Sequence, residues 1–183
     1  MPTYIVLLRA VNVGGTGKLP MADFRQLLTG LGYLNVETYI QSGNAVFDAP
    51  GPAAAVSRAV SAGLVKLTGA PLGIIIRTHE ELADTIAANP FAREAAADGA
   101  RVHVGFLSGP PAKDAASGLD RIVEQYPNRR DRWYLSRDAL YLHLPDGAAD
   151  TKFTSKALER ILVTTTTARN WNTVLKLHAM SAR

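Results

Sequence analysis

The chain has 183 residues, no cysteine and a formal net charge of +4. A chain of this length forms one domain or two small ones. It can bury about 70% of the surface that its unfolded chain exposes, so it needs no disulfide or metal ion to be stable. The lack of cysteine excludes disulfides, thiolate nucleophiles and cysteine-based zinc or iron–sulfur sites.

Hydrophobicity and charge suggest a location and a class of partner. No apolar run reaches the roughly 18 residues of a membrane span, and the N-terminus lacks the basic region and apolar core of a signal peptide. We therefore expect a cytoplasmic protein with no membrane partner. Residues 1–100 carry a net charge of −1 and residues 101–183 a net charge of +5. A basic half can attract phosphate groups, although scattered solvated charge explains the same numbers.

The first 78 residues predict the element order βαββαβ, the ferredoxin-like pattern. The predicted strands cover residues 5–11, 36–41, 44–48 and 72–77, and the two helices begin at Pro20 and Pro52. The two middle strands meet at Ser42-Gly43, a two-residue hairpin signal. We expect the core of this half to contain Phe24, Leu28, Val60, Leu64 and Ile75.

Residues 79–100 are predicted to form a helix and a connector. A capping-box pattern, Thr78 to Glu81, begins the helix, and Asn89-Pro90 ends it.

The second half, residues 101–183, predicts βαββα followed by one extra helix. Strands are predicted at residues 102–107, 132–135 and 140–144. The run of four threonines at 164–167 interrupts the pattern before the last helix. The predicted fold is therefore α+β, with two ferredoxin-like (alpha–beta plait) subdomains, the second incomplete and carrying an extra C-terminal helix.

The loop after the first strand is rich in glycine and carries Lys18. A P-loop has the pattern Gly-x-x-x-x-Gly-Lys-Ser/Thr. This loop does not match that pattern, because Asn12 stands at the position of the first glycine and Leu19 at the position of the Ser/Thr. It is not a dinucleotide fingerprint either, because Pro20 follows the glycines. Backbone N–H groups beside Lys18 remain able to hold an anion, and a flexible loop serving only the chain reversal is the alternative.

Sheet topology predicts a polar site at this edge. The first two strands of a ferredoxin-like sheet are parallel, with the third antiparallel between them, so the glycine loop and the Ser42-Gly43 turn meet at one end. The candidate ligand-binding residues there are Arg9, Asn12, Gly14, Gly15, Lys18, Gln41, Ser42 and Asn44. A simple turn, with Arg9 in a buried ion pair, is the alternative.

A second dense polar motif spans residues 167–173. Thr167 or Asn170 can cap the last helix, whose N-terminus favours anions. Arg169 suits bidentate binding of phosphate or carboxylate, so we expect Arg169 and Asn170 to complete the site. The four histidines show no metal spacing, and the sequence contains no recognisable catalytic triad or carboxylate pair. No metal, cofactor or catalytic residue is predicted.

Four segments resemble a known family along nearly the whole chain. They are LLRAVNVGG (7–15), TYIQSGNAVF (38–47), NPF (89–91) and TARNWNTVLKL (167–177). They resemble the bacterial family called domain of unknown function 1697. That family usually has glycine where this chain has Ala10, and residues 148–154 follow its pattern more loosely. The resemblance implies two alpha–beta plait subdomains and no established activity, substrate or cofactor.

Three functional hypotheses fit the sequence. The first is binding of, or action on, a small phosphorylated or carboxylated ligand at the loop edge of the first sheet. The second is a nucleic-acid-binding module, because RNA-recognition sheets share this plan; Phe47 is the aromatic residue that its central strands offer. The third is protein interaction or assembly through a sheet face or edge. The sequence predicts no oligomeric state.

Overall fold

The structure is a computed structural model that describes residues 1–13 and 17–183. It divides into two compact units, Met1–Asp84 with Lys176–Arg183, and Thr85–Leu175. The division predicted from the sequence, into residues 1–78, 79–100 and 101–183, stays a prediction. Within the described residues, no helix is both long enough and apolar enough for a membrane span.

The first unit is a four-stranded antiparallel sheet with helices in the ferredoxin-like order. Its strands are β1 (Thr3–Leu8), β2 (Leu34–Tyr39), β3 (Asn44–Asp48) and β4 (Ile74–Thr78), and its helices are α1 (Met21–Gly30), α2 (Ala53–Thr68) and the start of α3 (His79–Ala87). The strand order is β2-β3-β1-β4, with β1 antiparallel to both of its neighbours. The predicted βαββαβ order is confirmed, and β1 is a central strand that ends at Leu8 rather than at Val11.

Helices α1 and α2 cover one face of this sheet. Each follows a proline, Pro20 or Pro52, whose fixed φ suits a helix start. Gly69, at φ 78°, ends α2 in the left-handed conformation that glycine adopts without strain. The core cluster on this face includes Tyr4, Val6, Leu8, Phe24, Leu28, Phe47, Val60 and Leu64.

The prediction that Ile75 is a core residue is confirmed, because its side chain is buried, but it lies outside the helix-facing cluster. Ile75 is opposite Leu7 in the β1–β4 register, whereas Val6 and Ile76 face the helices. Side chains alternate between the two faces of a strand, so Ile75 lies on the face away from α1 and α2.

Strand β2 forms one edge of the first sheet, and that edge is irregular. Its pairing with β3 shifts register between Leu34 and Glu37, and Asn35 there has φ 51°. Arg183 contacts the same segment: its guanidinium donates to the Asn35 carbonyl oxygen at 2.7 Å and to Glu37 Oε1 at 2.6 Å. This part of the edge is therefore bulged and partly covered.

The second unit repeats the architecture of the first. Its strands are β5 (Val102–Leu107), β6 (Arg132–Leu135), β7 (Ala139–His143) and β8 (Thr166–Asn170), and its helices are α4 (Ala92–Ala97), α5 (Ala115–Gln125), α6 (Ser155–Leu162) and the first five residues of α7 (Trp171–Ser181). The strand order is β6-β7-β5-β8, which matches that of the first sheet. The C-terminal helix is present as predicted.

The expectation that the second copy is incomplete is wrong. Strand β8 pairs antiparallel with β5 from Thr166 to Asn170 and completes a four-stranded sheet. The threonine run that interrupted the predicted pattern supplies the start of this strand, because β-branched residues fit an extended backbone. Residues Ala168 to Asn170 are therefore on a strand and not in a helix.

Replacing Leu28 by alanine tests the core of the first unit. Leu28 is fully buried, so we expect Leu28→Ala to lower the free energy of unfolding by about 2–5 kcal/mol. Leu31, the residue that follows α1, is 38% exposed, and Leu31→Ala is a matched control with an expected change within about 0.5 kcal/mol. Urea denaturation of the three proteins measures the difference. Equal midpoints for the two variants would contradict this account of the core.

Candidate functional site

The side chain of Asn12 joins the loop after β1 to the β2–β3 turn. Its Nδ2 donates to the carbonyl oxygens of Leu19, at 2.8 Å, and Gln41, at 2.7 Å. Its Oδ1 accepts from the Leu19 N–H at 2.9 Å. The loop and the turn therefore meet at one edge of the sheet, as the topology predicts. Asn12 uses its amide to position them.

Asn44 has a similar structural role inside the turn. Its side chain is fully buried, and Nδ2 donates to the Tyr39 carbonyl oxygen and to Ser42 Oγ, both at 3.0 Å. The amide therefore closes the turn and orients the Ser42 hydroxyl. Since the side chain has no exposed surface, its direct effect is on Ser42 rather than on a molecule in solvent.

Gly43 is required where the turn packs against the end of β1. Its carbonyl oxygen accepts from the Leu8 N–H at 2.8 Å, and its φ is 81°. A Cβ at this position would lie 2.5 Å from Val11 Cγ2 and 2.7 Å from Leu8 Cβ, far inside van der Waals contact. The turn approaches β1 too closely for any side chain at position 43.

The backbone at this edge is strained. Ala10, Asn12 and Ile40 have φ values of 55°, 56° and 52°, in the left-handed region that residues with a Cβ rarely adopt. This conformation costs Ala10 and Ile40 about 1–2 kcal/mol each relative to ordinary backbone, whereas asparagine tolerates it at lower cost. The value at Ala10 gives a physical reason why glycine suits that position. These conformations require surrounding contacts that hold them, and the Asn12 hydrogen bonds are among these.

The charged candidates of this edge differ in exposure. Lys18 is exposed and directly follows Gly17, whose carbonyl oxygen accepts from the Asn12 N–H at 3.1 Å. Arg9 is half-buried, and its backbone N–H donates to the Gly73 carbonyl oxygen at 2.8 Å. Gly14 and Gly15 lie outside the described residues. Lys18 is the cation here that solvent reaches most freely.

Arg169 and Asn170 belong to the second unit, and their setting differs from the predicted one. Arg169 is on β8 rather than in the first turn of a helix; its Nη1 donates to Thr167 Oγ1 at 2.7 Å and to the Ala168 carbonyl oxygen at 2.9 Å. Burial lowers the pKa of Arg169 to about 10, so it stays charged at neutral pH. Asn170 Oδ1 accepts from the Thr173 N–H at 2.9 Å and caps α7, one of the two predicted alternatives.

A histidine pair in the first unit escaped sequence reasoning. The rings of His79 and His178 stack with centroids 4.3 Å apart, and His79 Nδ1 lies 2.9 Å from Ser181 Oγ. A separation of 99 residues leaves no local pattern that predicts this contact. Within residues 1–13 and 17–183, no group of three or more His, Asp or Glu side chains is placed to hold a metal ion.

Three histidines are held in their neutral form. Burial lowers the pKa of His103, on β5. Burial and the nearby Arg132 guanidinium lower that of His143, on β7. Burial and the neighbouring His79 lower that of His178. Folding therefore opposes protonation at all three positions.

Comparisons with known proteins identify a family and a fold. The family model described as protein of unknown function (DUF1697) matches residues 1–141. Similar solved structures include that of the conserved bacterial protein SP0830 from Streptococcus pneumoniae, with a TM-score of 0.72, 22% sequence identity and 98% of each chain covered. At this identity the likeness establishes the fold alone. A search of curated proteins found no match.

Gly43→Ala tests the close packing of the turn on β1. Gly51 is the matched control, because its φ of 84° is nearly the same but nothing lies within 4 Å of a Cβ placed there. Both substitutions introduce backbone strain, and Gly43→Ala adds a steric clash, which typically costs about 1–3 kcal/mol. We expect Gly43→Ala to be less stable than Gly51→Ala by that amount in urea denaturation. Equal losses would show that the turn is not tightly packed.

The three neutral histidines predict a loss of stability in mild acid. The unfolded chain takes up protons near the ordinary histidine pKa of 6.5, whereas the folded chain resists protonation. The free energy of unfolding should therefore be constant above that pH and fall as the pH drops towards 5. Urea midpoints at pH 7.5 and 5.5 measure the effect. His103→Leu should reduce the pH dependence; an unchanged dependence would contradict the inferred role of His103.

Proposed function

This chain belongs to the DUF1697 family of proteins of unknown function, and we propose that the loop edge of its first sheet binds a small anionic ligand. The ligand carries a phosphate or a carboxylate. Lys18, Arg9 and the polar groups of Gln41 and Ser42 contact it, while Asn12 and Asn44 hold these groups in place. Gly14 and Gly15 are part of the same proposal. A cytoplasmic location is also part of it.

The strained backbone of this edge carries the proposal. Ala10, Asn12 and Ile40 occupy left-handed conformations within a short stretch around one hydrogen-bonded contact. Backbone strain persists only where the surroundings impose it, and it is concentrated at ligand-binding and active sites. A plain chain reversal does not need three such residues. Their clustering supports a site whose geometry matters more than local stability.

The composition of the edge supports an anion as the ligand. Lys18 is exposed beside the loop, and the Ser42 hydroxyl is oriented by the Asn44 amide. Phosphate and carboxylate oxygens accept hydrogen bonds from amines, hydroxyls and backbone N–H groups. The proposal rests on the first unit alone; it assigns no catalytic residue and makes no use of Arg169 or Asn170.

The nucleic-acid alternative has less support. Phe47 was the aromatic residue offered by the central strands, and it is fully buried. Its ring stacks on Tyr33 with centroids 4.9 Å apart and planes 2° apart. A ring inside the core beneath α1 and α2 is unavailable to stack on bases in the way RNA-recognition sheets do.

Lys18→Gln tests the proposed site. We expect it to weaken binding of inorganic phosphate or citrate about tenfold or more, because a hydrogen bond to a charged group contributes about 1.5–3 kcal/mol. Lys66→Gln, at an exposed lysine on α2, is the matched control and should bind as the wild type does. NMR titration measures both affinity and location, with shifts expected at Gly17, Lys18 and Ser42.

Two outcomes would overturn the proposal. The first is equal affinity of the two lysine variants for both anions. The second is tighter binding of single-stranded RNA than of either anion, with an affinity that falls steeply between 50 and 200 mM salt. That result would favour the nucleic-acid alternative, because displacing counterions from a polyphosphate backbone gives a strong salt dependence.

A further inference from the structure

The second unit contains a cavity that differs in chemistry from the loop edge of the first sheet. It has a volume of about 240 Å³ and lies on the side of the second sheet that packs against α5 and α6. Its apolar wall includes Leu142, Leu144, Phe153 and Leu158. His103 and Thr166 contribute from β5 and β8.

The lining of this cavity carries no charged side chain. All residues of the second unit, 85–175, are described, and the polar side chains that line the cavity are four hydroxyls and the His103 imidazole. Burying an ionised group without a partner is costly, so this lining selects against carboxylates and ammonium groups. The cavity therefore suits an uncharged molecule.

His103 lines the cavity with its imidazole ring. Its Nδ1 is buried, has no hydrogen-bond partner and is out of reach of a molecule in the cavity. Nε2, the other ring nitrogen, is therefore the atom that a molecule in the cavity can contact. Because burial also lowers the pKa of this residue, the ring is neutral at physiological pH, with one donor and one acceptor nitrogen.

We propose that this cavity binds a small uncharged molecule that is apolar over most of its surface and carries one hydroxyl group, which pairs with the imidazole of His103. A hydroxyl both donates and accepts, so it serves either tautomer of the ring. An apolar cavity of about 150 Å³ accommodates benzene, and the larger volume here leaves room for a ring with small substituents. Phe153 is the aromatic side chain of the lining.

The apolar wall lies outside the part of the chain that the family model covers. Leu142, Leu144, Phe153 and Leu158 all follow residue 141. The segment 148–154 contributes five residues to the lining: Ala148, Ala149, Thr151, Phe153 and Thr154. The cavity belongs to the second unit and is independent of the anion site proposed for the first.

Three probe molecules of similar size test the ligand chemistry. p-Cresol has the hydroxyl, toluene lacks it, and 4-methylbenzoate carries a charge. We expect the full chain to bind p-cresol about tenfold more tightly than toluene, and 4-methylbenzoate more weakly than either, in calorimetric or NMR titrations. The His103 ring resonances should shift with p-cresol. Equal binding of p-cresol and toluene, or tighter binding of 4-methylbenzoate, would overturn the proposal.

Two variants and one control locate the binding. His103→Leu should remove the preference for p-cresol while toluene still binds. Ala168→Phe, at an exposed residue that lines the cavity, should weaken both ligands at least tenfold. Ala97→Phe, at an exposed residue on α4 that is not part of the lining, should change neither affinity. Unchanged binding by Ala168→Phe, or a retained preference for p-cresol in His103→Leu, would place the binding elsewhere and overturn the proposal.

Discussion

The three hydrogen bonds of the Asn12 side chain hold the loop edge of the first sheet together. One amide group reaches Leu19, at the end of the glycine-rich loop, and Gln41, at the start of the hairpin turn. It acts together with the hydrogen bond from the Leu8 N–H to the Gly43 carbonyl oxygen and the packing of Gly43 on Val11. The strained conformations at Ala10 and Ile40 lie next to this contact. A small number of directional bonds therefore determines how the Lys18 and Ser42 donors are presented.

The two units use one architecture to create two different environments. In the first, the notable groups lie at strand ends, where Lys18 meets solvent. In the second, they lie beside α6, where His103 lines a cavity with a largely apolar wall. The same strand order thus supports a polar edge in one copy and an apolar cavity in the other. Function in this fold depends on which side chains occupy the edge and the covered face, and not on the fold itself.

Sequence periodicity predicted most of the fold because most elements have one covered face. Where both faces of a strand are buried, periodicity says less: Ile75 is buried as predicted, and alternation alone does not say which side it faces. Periodicity failed at β8, where threonines with no apolar alternation form a strand because β5 offers a pairing partner.

Polar residues at strand ends marked the candidate site, yet no pattern distinguishes Asn12 and Asn44, which position the loop and turn, from Lys18, which faces solvent. The His79–His178 pair depends on a contact across 99 residues, which local patterns do not encode.

The irregular edge at β2 has a consequence for the behaviour of the protein at high concentration. A regular exposed strand offers a row of unpaired N–H and C=O groups on which a second molecule can extend the sheet, and this route leads to aggregation. Here the register shift near Asn35 interrupts the regular spacing of these groups. The Arg183 guanidinium also donates hydrogen bonds to the Asn35 carbonyl oxygen and to the Glu37 carboxylate. These three devices, a bulge, a charge and a covering side chain, make this edge a poor template for intermolecular strand addition. The same features that make the strand irregular therefore disfavour its extension into a continuous sheet between molecules.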